Sequence, residues 1–322
     1  MNEAGATFTE GLETLWSVGP VRQITAVCGG SINGAYRVQT RDGTYHLRVY
    51  RTPDRTQIDR EHAAIAVALA SGVPTPALLP AHDGNTVARL HGTGADGAWA
   101  ALFAQAAGAP IPRSALCMKT ASALGAFLAQ VHSRLPAEVP FAVPVLCASS
   151  VEHTAQRLER IEQAILSLPV LEEIDRWALT RTRQRLAHLR SVPLRDVVPS
   201  FPFRFLHGDY HDGNVFFQDW QPASLTDWEQ TRRGPRAWEI VRTIDLSLEL
   251  LPQLCRAFLC AYRAHFPLPC DELQNGARFY AMSQERNVWT YESVYLNGNP
   301  GPRRFIRPPP YVPFLTRWQT LK

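Results

Sequence analysis

Lysine is nearly absent from this chain of 322 residues, because only Lys119 and Lys322 occur among its 33 Lys and Arg residues. The chain also lacks any run of about eighteen uncharged apolar residues, which argues against a membrane-spanning helix. Its first residues carry neither the basic segment nor the apolar segment that a secretory signal requires. We therefore expect a cytoplasmic protein with no membrane partner.

Paired cysteines and dense basic segments are missing as well. The six cysteines are scattered without a C-x-x-C pair, so the sequence indicates neither a zinc site nor a disulfide framework. The net charge of +4 is only mildly basic and no long run of Lys and Arg occurs, so we expect no nucleic-acid partner. Hydrophobic residues make up 45% of the chain, which is enough for one large domain or for two lobes with separate cores.

One stretch carries the chemistry, FLHGDYHDGNVFFQDWQPASLTDWEQTRRGPRAWE, which starts at Phe205. Asp209 and Asn214 are separated by four residues, and Asp227 follows after a β-rich interval that is broken at Gln221-Pro222, which predicts a hairpin. Phosphoryl transfer from ATP needs a carboxylate for the acceptor hydroxyl, together with an amide oxygen and a second carboxylate that hold Mg²⁺. We predict Asp209 as the catalytic base and Asn214 and Asp227 as the metal ligands. The alternative is that these residues only cap and turn the hairpin.

The same stretch resembles the aminoglycoside phosphotransferase and choline kinase family, which has a protein-kinase-like fold. The HGD that ends at Asp209 stands where protein kinases carry H-R-D, the spacing to Asn214 is the same, and the DWE that begins at Asp227 stands where they carry D-F-G. The resemblance implies ATP and Mg²⁺ as cofactors. It also implies an α+β, bilobal fold, with a nucleotide-binding N-lobe over residues 1–104 and a mainly helical C-lobe over residues 105–322 that contains the catalytic hairpin.

Local patterns agree with these two lobes. Strand patterns and one helical pattern before residue 104 predict an antiparallel five-stranded sheet and a helix. Later patterns predict helices, followed by a proline-rich segment over residues 305–314 that is expected to be extended. The predicted strands cover residues 21–27, 35–40, 44–50, 86–90 and 98–103, and the predicted helices cover residues 56–70, 114–133, 150–168, 171–190, 235–251, 254–265 and 270–296.

A glycine-rich turn lies between the first two predicted strands. Glycine lets backbone N–H groups approach phosphate oxygens closely, so we predict phosphate contacts at Gly29, Gly30, Ser31 and Gly34. Such a turn is often no more than a hairpin turn. Its position, two strands ahead of a basic residue, favours the phosphate-binding interpretation.

The resemblance assigns further positions in the nucleotide site. Kinases usually place a lysine on the third strand, where it binds the α- and β-phosphates and pairs with a glutamate on the next helix. Residues 1–104 contain no lysine, so by resemblance Arg48 takes this position and Glu61 is its partner. The alternative for Arg48 is an exposed strand arginine. By the same resemblance, Phe103 and Gln105 begin the hinge that contacts adenine. His211, two residues after Asp209, is a candidate contact to the γ-phosphate.

The acceptor is predicted to be a hydroxyl group of a small molecule. Within the family, LRVYR and DWEQTRRGPRAWEIVRTID are most similar to the branch of homoserine-kinase-like and stress-response kinases. The net positive charge is also a poor match for a polycationic aminoglycoside. Two alternatives stay open, a Ser/Thr protein kinase of the bacterial stress-response type and a catalytically silent kinase-like binding module. The sequence leaves the oligomeric state open.

Overall fold

The computed structural model describes residues 11–27, 33–91, 97–191 and 201–321. The predicted phosphate contacts Gly29, Gly30 and Ser31 lie outside these residues. Packing divides the chain into two compact units. The first consists of Met1–Pro144, Arg204–Arg233 and Arg256–Pro267, and the second of Val145–Phe203, Gly234–Cys255 and Leu268–Lys322. The assignment of separate roles to residues 1–104 and 105–322 stays a prediction.

An antiparallel sheet forms the N-terminal part of the first unit. Its order is β1-β2-β3-β6-β4, and β5 also pairs with β6. The sheet therefore has six strands among the described residues, one more than predicted. The additional strand, β4, has only two residues and follows a proline-rich linker, so it leaves no alternating pattern in the sequence. The strands are β1 (Val21–Ala26), β2 (Gly34–Thr40), β3 (Thr44–Val49), β4 (Leu78–Leu79), β5 (Ala88–Leu90) and β6 (Ala98–Ala104).

Helix α1 (Arg55–Ala70) lies between β3 and β4 in the sequence. It begins where the side chain of Asp54 accepts a hydrogen bond from the Thr56 backbone N–H at 2.9 Å, which satisfies one of the free donors of the first turn. Its buried side chains include Ile58, Glu61 and Ile65. A buried glutamate requires a partner that offsets the cost of burying its charge.

The catalytic hairpin also belongs to the first unit. Strands β9 (Val215–Gln218) and β10 (Gln221–Leu225) pair, and β9 also pairs with the short strand β7 (Ala109–Pro110). The prediction of a break at Gln221-Pro222 is wrong, because the two-residue turn lies at Asp219-Trp220, both with positive φ. Pro222 is tolerated within β10 because β10 is an edge strand. Helix α2 (Met118–Arg134) and strand β8 (Phe203–Leu206) lie between β7 and β9 in the sequence. Strand β11 (Arg232–Pro235) follows β10.

Helices make up most of the second unit. The predicted helix over residues 270–296 is divided in two, because the chain is non-helical at residues 287–288. Within the proline-rich segment 305–314, residues 306–313 are non-helical, as predicted, whereas residue 305 ends a 3-10 turn and residue 314 begins a helix. Arg181 donates to the carbonyl oxygens of Pro308 and Pro310 at 3.0 Å. In chain order the helices after α2 are α3 (Val151–Leu166), α4 (Glu173–Ser191), α5 (Arg236–Leu246), α6 (Pro252–His265), which extends into the first unit, α7 (Cys270–Arg286), α8 (Trp289–Tyr295) and α9 (Phe314–Trp318). Across the described ranges, none of the helices is long and apolar enough to span a membrane.

Candidate active site

Asp209 lies in the loop between β8 and β9, and its carboxylate is 19% exposed. The Asn214 side-chain amide donates to the Asp209 carboxylate oxygen Oδ2 at 3.2 Å and to the Asp209 carbonyl oxygen at 3.0 Å. The two residues are therefore held together by the D-x-x-x-x-N spacing that the sequence shows. Because the amide nitrogen of Asn214 faces Asp209, its oxygen Oδ1 lies on the opposite side of the amide group.

Gly208 and His207 fix the backbone just before Asp209. Gly208 has φ +84°, and a Cβ at this position would lie 2.0 Å from the Gln230 carbonyl oxygen, so only glycine fits. The His207 ring is fully buried and packs edge-on against Trp228 at a centroid distance of 4.6 Å. Its Nδ1 accepts from the Asp209 backbone N–H at 3.2 Å, and its Nε2 donates to the Thr226 carbonyl oxygen at 3.0 Å. These contacts are those of a residue that braces the loop.

Thr226 joins the two predicted metal ligands. Its backbone N–H and its hydroxyl group both donate to the Asn214 carbonyl oxygen, at 2.9 and 3.1 Å. The next residue, Asp227, adopts the left-handed conformation (φ 66°, ψ 66°), which Asp tolerates better than most side chains do. The hairpin therefore places Asn214 and Asp227 close together at its open end, opposite the turn, although they are far apart in the sequence.

Arg48 connects the catalytic hairpin to the sheet. Its guanidinium binds Glu61 Oε1 at 2.5 Å and Asp227 Oδ1 at 3.3 Å. The ring of Phe103 lies beside it, with 5.6 Å between the guanidinium carbon and the ring centroid. The alternative of an exposed strand arginine is excluded, because the Arg48 side chain is only 16% exposed. Arg48 thus contacts Glu61 and Asp227, and Thr226 links Asp227 to the predicted pair Asn214 and Asp209.

The sequence reasoning missed Glu229, a third carboxylate near Arg48. It accepts from the Asn33 side-chain amide at 3.2 Å and from the Gln57 side-chain amide at 3.1 Å. Burial, followed by the charges of Glu61 and Asp227, raises the pKa of Glu229 to about 7. One signal was available in the sequence, because Glu229 stands where the D-F-G of protein kinases has its glycine.

Arg48 and the acidic side chains near it do not balance in charge, because there are three carboxyl groups and one guanidinium among the described residues at this point. Burial raises the pKa of Glu61, and Arg48 only partly opposes this effect. Burial acts to lower the pKa of Arg48, but the charges of Glu61 and then Asp227 outweigh it and raise that pKa. Arg48 is therefore cationic at any physiological pH, and Glu61, Asp227 and Glu229 all surround it. An additional cation would relieve the repulsion among these carboxylates.

Asn214 and Asp227 fit a hard divalent cation such as Mg²⁺. Both offer oxygen atoms, and the Asp227 carboxylate is 38% exposed, so it is accessible to an ion that keeps water and phosphate ligands. Within the described residues there is no group of three or more His, Cys, Asp and Glu side chains arranged to hold a metal ion. The predicted site does not need one, since it uses a single carboxylate, one amide and oxygen atoms of the nucleotide.

The remaining predicted residues have different surroundings. His211 Nε2 lies 3.6 Å from Asp209 Oδ2, and its Nδ1 accepts from the Gly213 backbone N–H at 3.0 Å, so it belongs to the catalytic loop. Gly34 opens β2, opposite Val49 of β3. Phe103 lies in β6, and Gln105 is exposed immediately after that strand. The adenine contacts of Phe103 and Gln105 and the phosphate contacts of Gly34 and His211 stay predictions.

The sequence pattern described as the phosphotransferase enzyme family (APH) matches residues 23–269. None of the curated proteins matches the chain significantly in sequence.

Solved structures share the fold over nearly the whole chain. Amicoumacin kinase, in complex with AMP-PNP, Ca²⁺ and Ami, has a TM-score of 0.59 and 15% identity, and the alignment covers 98% of this chain and 97% of that one. Spectinomycin phosphotransferase, in complex with ADP and spectinomycin, has a TM-score of 0.65 and 13% identity, with 92% and 88% covered. A microcompartment-associated aminopropanol kinase has a TM-score of 0.57 and 15% identity, with 92% and 94% covered. At these identities the likeness establishes the protein-kinase-like fold alone.

Proposed function

The chain belongs to the phosphotransferase enzyme family, and we propose that it transfers the γ-phosphate of ATP to a hydroxyl group of a small molecule in the cytoplasm. One observation carries the proposal. Arg48 contacts Asp227 at 3.3 Å, Thr226 links Asp227 to Asn214, and Asn214 contacts the Asp209 carboxylate at 3.2 Å, which supports a single site for the proposed phosphate-binding cation, metal ligands and base. Phosphoryl transfer requires these groups together.

Asp209 acts as the base in this proposal. Its carboxylate is accessible and is held by Asn214, so it can accept the proton of an acceptor hydroxyl while keeping a fixed orientation. His207 cannot take this role, because it is fully buried and both ring nitrogens are engaged. His211 lies on the exposed side of Asp209 and is a candidate contact to the γ-phosphate.

Arg48 holds the α- and β-phosphates, with Glu61 fixing the guanidinium from the buried side. Asn214 and Asp227 would hold Mg²⁺, which when bound neutralises charge on the β- and γ-phosphates. The backbone groups of Gly29, Gly30, Ser31 and Gly34 are proposed to cover the phosphates. Phe103 and Gln105 are proposed to begin the adenine contacts.

The acceptor class is supported by the family and by the kinds of molecule that appear with the solved structures. Spectinomycin and aminopropanol are both small molecules with hydroxyl groups. The net charge of +4 argues weakly against a polycation as acceptor. We therefore propose a small, neutral or weakly charged alcohol.

The test is an acceptor screen that measures ADP release with Mg-ATP. The panel contains amino alcohols, sugars, aminoglycosides and generic protein substrates, and the Asp209→Asn variant is the matched control for contaminating kinases. We expect ADP release with a small alcohol that the variant does not support. Phosphate transfer only to protein would favour a protein kinase, and tight Mg-ATP binding without transfer to any acceptor would favour a silent binding module.

A further inference from the structure

A line of hydrogen-bonded side chains runs from Thr86 to Arg48 within the first unit. Thr86 Oγ1 lies 2.6 Å from His62 Nδ1, and His62 Nε2 lies 3.1 Å from the Tyr50 hydroxyl group. The Tyr50 hydroxyl group donates to Glu61 Oε2 at 3.1 Å, and Glu61 Oε1 binds Arg48 at 2.5 Å. Tyr50, Glu61 and His62 are 4%, 2% and 6% exposed, so the two contacts of the Tyr50 hydroxyl group are shielded from water.

The chemistry of the groups allows one arrangement of their protons. The carboxylate of Glu61 accepts only, so the single proton of the Tyr50 hydroxyl group points to it. The Tyr50 oxygen then accepts from His62, which places the imidazole proton on Nε2. Nδ1 of His62 is left as an acceptor for the Thr86 hydroxyl group. Every bond in the series is thereby directed toward Glu61.

The state of His62 agrees with this arrangement. Burial lowers the pKa of His62 to about 4, so the ring is neutral at physiological pH and carries the single N–H that the series requires. The ring also contacts Phe103 edge-on, with centroids 6.4 Å apart, and Phe103 lies beside the Arg48 guanidinium. The hydrogen bonds to Tyr50 and Thr86 and the packing against Phe103 therefore both fix the orientation of the His62 ring.

Glu61 depends on the hydrogen bond from Tyr50 because it competes with Asp227 for the Arg48 guanidinium. Asp227 already binds the guanidinium at 3.3 Å, and the charge of Glu229 also acts on it. A buried carboxylate that lost the Tyr50 donor would be left with an unsatisfied oxygen and would reorient. Arg48 would then follow the carboxylates of the catalytic hairpin.

We propose that Tyr50 and His62 are positioning residues that hold Glu61, and through it Arg48, in the orientation that binds the nucleotide phosphates. The inference rests on the proposed function, since it assumes that Arg48 binds phosphate. Tyr50 and His62 themselves contact neither nucleotide nor acceptor in this scheme. Thr86 closes the far end of the series and fixes the His62 ring.

The main test separates nucleotide binding from turnover in Tyr50→Phe. We expect the KM for ATP to rise about tenfold and kcat to stay within about twofold, because an unsatisfied buried partner of a charged group weakens binding by roughly this factor. Tyr280→Phe is the matched control. Tyr280 is fully buried and donates to the Asp245 carboxylate at 2.8 Å, so its loss should affect stability and leave the KM for ATP unchanged.

A conservative pair at His62 tests the second residue. The glutamine amide can replace the Nε2–H donor, so His62→Gln should keep the KM for ATP within about twofold of the wild type, whereas His62→Leu should raise it about fivefold. An equal rise in both variants would overturn the role of the donor.

A double-mutant cycle with Arg48→Ala makes the assignment specific. If Tyr50 acts through Arg48, then Tyr50→Phe should produce no further rise in the KM for ATP once Arg48 is removed. The same rise in both backgrounds would show a general packing effect and would contradict the inference.

The proton arrangement is open to a measurement that needs no activity. Nitrogen-15 NMR of the wild-type protein should show His62 as the neutral Nε2–H tautomer, and an Nδ1–H tautomer would overturn the series. If the wild type binds no Mg-ATP, the proposed function and this inference both fail. If it binds Mg-ATP and Tyr50→Phe binds it equally well, only this inference fails.

Discussion

Two buried carboxylates, Glu61 in the first unit and Asp175 in the second, have the same kinds of partner. Glu61 is 2% exposed and binds Arg48 and the Tyr50 hydroxyl group. Asp175 is 3% exposed and binds Arg303 at 3.0 Å and the Tyr295 hydroxyl group at 2.8 Å. Their pKa values nevertheless shift in opposite directions, upward for Glu61 and downward for Asp175.

The surroundings explain the difference. Burial acts to raise the pKa of Asp175, but hydrogen bonds from Tyr295, from the Glu172 backbone N–H at 3.0 Å and from Arg303 outweigh it. Asp175 also lies in the first turn of α4, where the helix dipole favours a negative charge. Glu61 lies mid-helix, and its arginine also binds Asp227. Arg303 also binds a second carboxylate, Glu172, at 2.7 Å, but the Glu172 side chain is 73% exposed. The second carboxylate of the Asp175 centre (Asp175, Arg303, Tyr295) is therefore screened by water. The Arg48 centre (Arg48, Glu61, Asp227, Glu229) has an excess of negative charge, as expected of a site that takes up a cation with its substrate.

The largest expected effect separates turnover from stability. Asp209→Asn should keep the fold and the affinity for Mg-ATP but lower kcat by roughly 10³-fold, because the amide cannot accept the hydroxyl proton. Steady-state kinetics and nucleotide titration measure the two quantities. Asp175→Asn is the matched control, for which we expect kcat within about twofold of the wild type and a lower midpoint of thermal unfolding. Turnover of Asp209→Asn near that of the wild type would remove Asp209 from the mechanism.

The next effect distinguishes the two centres by alanine substitution. Asp227→Ala should weaken Mg-ATP binding by about 100-fold, measured by calorimetry, and should change the free energy of unfolding by less than about 1 kcal/mol, because one of several like charges is removed. Asp175→Ala should do the opposite, with nucleotide affinity unchanged and a loss of stability of about 2 kcal/mol, because the donors that bind Asp175 lose their partner. If Asp227→Ala binds Mg-ATP as tightly as the wild type, Asp227 is not a metal ligand.

Substitution of Arg48 should have a smaller effect on nucleotide binding, and substitution of Arg303 should have none. Arg48→Ala should raise the KM for ATP about tenfold with little change in kcat. Arg48→Lys should recover only part of this loss, since lysine cannot form two parallel bonds to phosphate or carboxylate oxygens. Arg303→Lys is the control and should leave the KM for ATP unchanged. Equal KM values for Arg48→Lys and the wild type would show that the two-pronged geometry is not used.

The sequence predicted the site residues that contact each other within one short segment of the chain. Asp209 and Asn214 are separated by four residues, so their contact follows from one loop, and the resemblance supplied Arg48 and Glu61. Tyr50 was missed as a site residue, although strand alternation placed it on the same face as Arg48. What decides its role is how α1 packs on β3, because Tyr50 contacts both Glu61 and His62 of that helix.

Other features had no usable signal. The turn of the catalytic hairpin lies at Asp219-Trp220, and tryptophan is not a residue that indicates a tight turn. Strand β4 is too short to show a period. The division of the chain into two packing units depends on contacts among segments far apart in the sequence, because Arg204–Arg233 joins the N-terminal residues. Such contacts follow from the packed structure and not from local patterns.

The smallest expected effect concerns the pH dependence of stability. Burial lowers the pKa of His62 from 6.5 to about 4, so between these pH values the unfolded chain binds a proton that the folded protein does not bind. The contribution of His62 to stability is therefore complete above pH 6.5 and is lost as the pH falls toward 4. Between pH 7.5 and pH 5.5 the loss amounts to about 1.3 kcal/mol.

Comparison with His62→Gln isolates this contribution, since His46 has a similarly lowered pKa of about 4 and titrates in both proteins. Denaturant unfolding at several pH values should show the wild type losing about 1.3 kcal/mol more than His62→Gln between pH 7.5 and pH 5.5. The difference between the wild type and Asp175→Ala should stay constant over the same range, because the pKa of Asp175 is lowered and the carboxylate is ionised throughout. A constant difference for His62→Gln as well would mean that His62 takes up its proton at the same pH in the folded protein as in the unfolded chain, and so is protonated at pH 5.5. It would then donate from both ring nitrogens, and the directed series of hydrogen bonds onto Glu61 would not exist.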